Sequence, residues 1–199
     1  MTLSLLLSMS AFALAASISP GPVNLTCLSS GARYPISRGL RFVTGATLGF
    51  IVLFLAIGFG LLAVMEKIPG FEKILTTAGI VFLLYLSYGL FRDDGVLTET
   101  GVQSAPGFWA GALMQWLNPK AWLATASGIG AYTSGDDLPL LLTFATLYLP
   151  ICWLSLSCWV VAGALLREHV HRPAGLRLLN RTLAILLAAS CFYLLFGGG

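Results

Sequence analysis

Ser19-Pro20-Gly21-Pro22-Val23-Asn24 interrupts the first apolar stretch of this chain, and Asn118-Pro119-Lys120 interrupts the fourth. Proline removes a backbone donor and crowds the carbonyl one turn back. Two prolines around a permissive glycine argue against a continuous helix through residues 20–22. The two breaks are in register, because a shift of 99 residues (119 − 20) lays Pro20 on Pro119. Without a gap the same shift pairs Ala11 with Ala110, Ala13 with Ala112 and Leu14 with Leu113. It also pairs Thr26 with Thr125, Gly31 with Gly130, Ala32 with Ala131, and Thr44 with Thr143. Ala46-Thr47-Leu48 falls on Ala145-Thr146-Leu147. An apolar chain duplicated in this way, with one interrupted helix per half, has the layout of a secondary transporter.

The composition places the chain in a bilayer. Of its 199 residues 57% are hydrophobic and 10% charged, and the mean hydropathy is +0.88. A soluble domain carries about 25% charged residues. The net charge of +3 comes without a basic stripe, so no nucleic-acid partner is expected. Cys27, Cys152, Cys158 and Cys191 lie in apolar segments and form no CxxC pair, which reads as small buried hydrophobes. Residues 3–16 resemble a signal peptide, but no Lys or Arg precedes them. They also carry the repeat partners of residues 110–113, so a retained first helix is expected.

Apolar segments of spanning length fall at residues 3–26, 40–64, 72–91, 108–131, 138–166 and 178–197. They lack the short alternation of barrel strands, which leaves helices. The expected fold is therefore an all-α integral membrane protein of six transmembrane helices. Residues 1–91 and 108–199 form two three-helix repeats, with helices 1 and 4 interrupted. Residues 92–107, with Asp93, Asp94 and Glu99, form a hydrophilic linker. Three spans per half is an odd number, so the repeats are inverted. Arg33, Arg38, Arg41, Arg92, Arg167, Arg172, Arg177 and Arg181 lie on one side and only Lys67 and Lys73 on the other. That asymmetry puts the Arg-bearing loops in the cytoplasm and both termini outside. A five-span arrangement with a re-entrant first segment stays open.

Some features read as packing. Gly45-xxx-Gly49 and Gly107-xxx-Gly111 are spacings that let helices approach closely. Trp109, Tyr132, Tyr148, Trp153 and Trp159 read as interfacial anchors. Pro150, inside the fifth span, is a hinge or a kink.

The breaks are where chemistry is expected. Unwound backbone is tolerated in a bilayer only against protein or a water-filled cavity. Ser17, Ser19 and Asn24 bring hydroxyls and an amide to the first break. Asn118 can cap a helix restarting at Pro119. Lys120 is the only charged residue between Gly107 and Gly135, and a lysine at membrane depth costs about 2.5–3.5 kcal/mol. A helix N-terminus beside a lysine suits an anion such as a carboxylate. The candidate substrate-binding residues are thus Ser19, Pro20, Gly21, Pro22, Asn24, Asn118, Pro119 and Lys120. Lys120 and the second helix end are assigned the substrate carboxylate, and Asn24 with the freed carbonyls the amino group.

Pro20-Gly21-Pro22-Val23-Asn24, Gly31, Arg38-Gly39-Leu40 and Gly45-xxx-Gly49 resemble the first half of the LysE/RhtB family of amino-acid exporters. Ala78-Gly79, Tyr85-Leu86 and Gly89-Leu90-Phe91-Arg92 resemble its third-span signature. Gly107 to Gly111, Asn118-Pro119-Lys120-Ala121 and Asn180-Arg181 resemble its second half. The resemblance implies a small inner-membrane exporter of amino acids, driven by a proton or other ion gradient. Many relatives carry an aspartate just after the position of Gly49, where this chain has Phe50. With no acid deep in any span, that departure favours a neutral cargo over lysine or arginine. Asp136 and Asp137 read as a solvated helix start.

Other classes fit less well. Ala126-Ser127-Gly128 resembles a nucleophilic serine, but His169 and His171 lie in a charged loop, so no enzyme is expected. His-x-His without further ligands reads as loop, and neither a metal nor a cofactor is expected. A structural subunit without transport is the remaining alternative, as is an exporter of another small solute. The expected partners are a small amino acid and the lipid bilayer, with small-residue faces that allow a homodimer.

Overall fold

The computed structural model describes residues 2–65, 67–92, 106–133, 137–169 and 173–196. Most of the 92–107 linker, Asp136 and His171 lie outside them. Among the described residues the chain is helical and has no strand. Helix α1 spans Leu3–Ile18, α2 Pro22–Arg33, α3 Ile36–Gly58, α4 Leu61–Met65 and α5 Phe71–Phe91. Helix α6 spans Phe108–Trp116, α7 Pro119–Tyr132, α8 Leu138–His169 and α9 Pro173–Phe196.

Both proline motifs end a helix and start another. The axes of α1 and α2 differ by 61° across Ser19–Gly21. Pro22 and Pro119 each take a first-turn position, where a missing N–H costs nothing. Pro150 does not break α8, which runs on through it. The second apolar segment ends earlier than residue 64. Gly60 adopts φ +94°, a left-handed turn open to glycine, and this separates α3 from the short α4.

Among the described residues helices α3 and α8 are each long and apolar enough to cross a membrane, and the bent α1–α2 pair makes a third candidate if it is one span rather than a re-entrant loop. Large apolar side chains such as Leu7, Val52, Trp109, Leu123 and Leu154 are exposed around the bundle. Apolar helices with such a surface fit a multi-pass membrane protein.

The most extensive packing joins the first half of the chain to the second: α2 on α8, α3 on α6, and α5 on α9. Glycine permits the closest approaches. A β-carbon at Gly31 would strike the Val160 carbonyl, and one at Gly163 the Leu28 carbonyl. One at Gly45 would strike the Phe108 carbonyl, and one at Gly49 would come within 2.6 Å of the Ala112 Cα. Gly111 faces the Phe42 carbonyl in the same crossing, whereas Gly107 faces open space. Of the two spacings read as packing, one uses both glycines and the other uses only Gly111. The α2–α8 contact puts Arg33 and Arg167 at one end of the bundle. Gly58 meets Leu141 at the other end, where α3 finishes and α8 begins.

Tyr148 is not an interfacial anchor. It is 1% exposed and lies in the core, ringed by Phe50, Phe54 and Phe144. Its expected place came from residue type, and the neighbouring rings override that preference.

Candidate functional site

Ending α1 at Ile18 frees the last carbonyls of that helix, and in an apolar interior each needs a donor. Ser19 N donates to Ala15 O at 3.3 Å, and Ser19 Oγ to Ala16 O at 3.1 Å. Asn24 Nδ2 donates to Ser17 O at 2.8 Å. Trp159 Nε1 reaches from α8 to Ile18 O at 3.1 Å. Lys120 Nζ crosses from α7 to Ser19 O at 2.7 Å, Ser19 Oγ at 2.8 Å and Pro20 O at 3.3 Å. Leu25 N closes on Gly21 O at 3.0 Å. Every carbonyl from Ala15 to Gly21 is therefore engaged. Three of these donors are side chains that follow the break or lie in the other half of the chain.

The second break satisfies itself more locally. Asn118 Oδ1 accepts from Lys120 N at 3.1 Å, and Asn118 O accepts from Ala121 N at 2.9 Å. Asn118 is thus the helix cap that its sequence position suggests. Trp122 Nε1 donates back to Trp116 O at 2.8 Å. The Leu117 carbonyl lies against Gly79 of α5, where a β-carbon would strike it.

A cavity of about 40 Å³ lies between the two breaks. Asn24, Asn118 and Lys120 line it, and Ser19, Pro20 and Gly21 adjoin it through the Lys120 ammonium. Pro22 and Pro119 start the helices whose first turns face it. The eight residues singled out in the sequence therefore meet at one crossing. Their hydrogen bonding differs from the expectation at one point. The freed carbonyls that were assigned to a substrate amine already hold Asn24, Trp159 and Lys120.

The two helix N-termini at this crossing differ. Helix α7 is capped by Asn118, while α2 has no side-chain cap. Among the described residues Val23 N and Asn24 N make no hydrogen bond. The cavity wall also contains residues that the sequence did not point to: Phe50, Gln115, Tyr148 and Cys152. Gln115 had a legible signal, being the only amide in the apolar run Phe108–Trp116. Cys152 accepts a long contact from Thr47 Oγ1 at 3.9 Å. No carboxylate lines the cavity.

Residues named for other chemistry stay apart from this crossing. Ser127 is on the exposed face of α7. Asp137 Oδ1 accepts from Leu140 N at 3.1 Å, as a helix-start residue does. Among the described residues no cluster could hold a metal ion.

The model for the LysE type translocator family matches residues 14–198. Cysteine/O-acetylserine efflux proteins of Escherichia coli O157:H7, Escherichia coli (strain K12) and Shigella sonnei (strain Ss046) are each 30% identical over 202 residues. Each alignment covers 97% of this chain and 100% of the relative. No solved structure matches the chain.

Proposed function

The chain belongs to the LysE type translocator family, a transporter and not an enzyme, and from that premise we propose that it exports neutral amino acids. Cysteine and O-acetylserine, the cargo in the names of its relatives, are the first candidates. The observation that carries the reading is the crossing itself. Two interrupted helices meet at a small polar cavity, and a lysine at that depth holds them together. The α-carboxylate would sit at the uncapped first turn of α2, beside the Lys120 ammonium. Phe50, where many relatives have an aspartate, packs on Tyr148 with ring centroids 4.6 Å apart. An apolar wall there supports a neutral cargo.

The proposed arrangement is six spans in two inverted repeats, residues 1–91 and 108–199, in the bacterial inner membrane with both termini outside. The 99-residue register supports the repeat, and the arginine asymmetry supports the orientation. Alternating access and an ion gradient follow from the same layout. Two cavities favour alternating access. The central one, at about 40 Å³, is far below the roughly 300 Å³ of an ordinary ligand pocket, so loading requires the helices to part. A second, of about 330 Å³, opens between the end of α3 and the start of α8. Phe54, Phe144 and Tyr148 lie between them, with Phe54–Phe144 centroids at 5.2 Å and Phe144–Tyr148 at 5.6 Å.

The test is efflux from cells preloaded with labelled amino acids, comparing the wild type with Lys120→Ala at equal membrane expression. Selective efflux of a neutral amino acid, lost in the variant and abolished by collapsing the ion gradients, is expected. Efflux of no amino acid from the wild type would sink the reading.

A further inference from the structure

Gln115 stands in the penultimate position of α6 and is 5% exposed. Its side chain lines the central cavity. Among the described residues it makes no side-chain hydrogen bond, although its backbone carbonyl accepts from Asn118 N at 3.3 Å. The other amides and the amine of the cavity are committed. Asn24 holds Ser17 O, Asn118 holds Lys120 N, and Lys120 holds Ser19 and Pro20. An amide that bonds no protein atom and reaches only a small cavity costs free energy there unless the contents of the cavity supply its partner. Such a group facing a cavity has its partner in whatever fills the cavity.

The backbone around the cavity adds a direction. Helix α2 begins there with its positive end uncapped. The other helix ends at the crossing already have partners, α1 in Lys120 and Trp159, α6 in Asn118 N and Trp122 Nε1, and α7 in Asn118 Oδ1. What remains is one helix end suited to an anion and one amide, Gln115, whose carbonyl suits a cation. A zwitterion fits that pair without any carboxylate in the wall.

We infer that Gln115 binds the ammonium group of the substrate through its side-chain carbonyl. The assignment rests on the amino-acid export reading and names the half of the site that the sequence left to Asn24 and the freed carbonyls of α1. Gln115 is then the residue that makes the site selective for α-amino acids over simple carboxylic acids.

The test uses the purified full chain in proteoliposomes, with the best-transported neutral amino acid and its deaminated counterpart as competitor. For cysteine that counterpart is 3-mercaptopropionate. In the wild type the deaminated acid should compete roughly tenfold to a hundredfold more weakly than the amino acid, the loss of one hydrogen bond to a charged group. Gln115→Met should raise the KM for the amino acid by a similar factor and leave inhibition by the deaminated acid unchanged. Gln115→Glu keeps a carbonyl oxygen and should stay within a few-fold of the wild type. An unchanged KM in Gln115→Met, or an equal penalty for both compounds, overturns the assignment and leaves amino-acid export standing. Equal competition by both compounds in the wild type overturns it without recourse to a variant. Transport of no amino acid by the wild type overturns the export reading as well.

Discussion

Gly21 and Lys120 are 99 residues apart (120 − 21), the same spacing as Pro20 and Pro119, and they touch. A β-carbon on Gly21 would lie 3.1 Å from both Cδ and Nζ of Lys120. The lysine of the second half thus fills the space that a side chain in the first half would need. In the 99-residue register the two breaks are thus not alike at the point where they meet. One half supplies the cation and the other the room for it.

Gly21→Ala should therefore impair transport without unfolding the protein. The backbone at Gly21 is extended, with φ −170°, which any residue adopts. The cost falls on the lysine tip, which is flexible and must swing away from Ser19 O and Pro20 O. Thermal unfolding in detergent should shift by no more than about 1–3 kcal/mol, the range for an unsatisfied buried group. Efflux should fall several-fold. Efflux at the wild-type rate would mean that the Lys120 contact with the first break has no part in transport.

The packing glycines should behave in the opposite way. At Gly31, Gly45 and Gly163 the obstacle is backbone of a facing helix, which cannot rotate aside. Alanine there should force the helices apart, at about 1–3 kcal/mol or more each. Gly89 and Gly130 face open space in their helices, so alanine there should stabilise by about 0.5–1 kcal/mol. Membrane yield and the apparent Tm of the five variants should separate into these two groups.

Both breaks were legible because proline acts locally. The missing N–H and the steric clash are properties of residues 20, 22 and 119 themselves, and the ends of α1 and α6 follow. The length and apolarity of the helical segments were legible for the same reason. What the breaks are joined to was not. Lys120 and Ser19 are 101 residues apart, and no periodicity reports that an ammonium will satisfy that carbonyl. Trp159 was read by type as an anchor, and nothing in its type reports that its indole serves Ile18 O. Gln115 was visible as a lone amide, but its lack of a partner depends on which neighbours are already committed.

Trp159→Phe tests the carbonyl accounting at the first break. It removes the donor to Ile18 O and keeps the ring, so a loss of about 1–3 kcal/mol is expected. Trp153→Phe is the matched control. Trp153 Nε1 donates to Thr44 Oγ1 at 3.2 Å, and that hydroxyl itself donates to Leu40 O. No carbonyl is left bare there, and the loss should be under about 1 kcal/mol. Equal Tm shifts in the two variants would contradict the role given to Trp159.

The aromatic side chains between the two cavities make a prediction that cysteine labelling can read. Cys152 lines the central cavity and is 3% exposed, while Cys158 is exposed on the outer face of α8. In a background of Cys27→Ser, Cys158→Ser and Cys191→Ser, a membrane-impermeant maleimide added outside should not reach Cys152. Phe144 touches Phe54, Tyr148, Phe12 and Tyr132, so Phe144→Ala should open a path from the larger cavity and allow labelling. Phe144→Leu, which keeps most of the volume, should label more slowly than Phe144→Ala. Phe→Ala in a core costs about 3–5 kcal/mol, so the leucine variant also shows whether labelling follows the opening or a general loosening. Prompt labelling of the parent from outside, or none in a folded Phe144→Ala, would remove these rings as the barrier. The proposed alternating access would then need its closure elsewhere in the bundle.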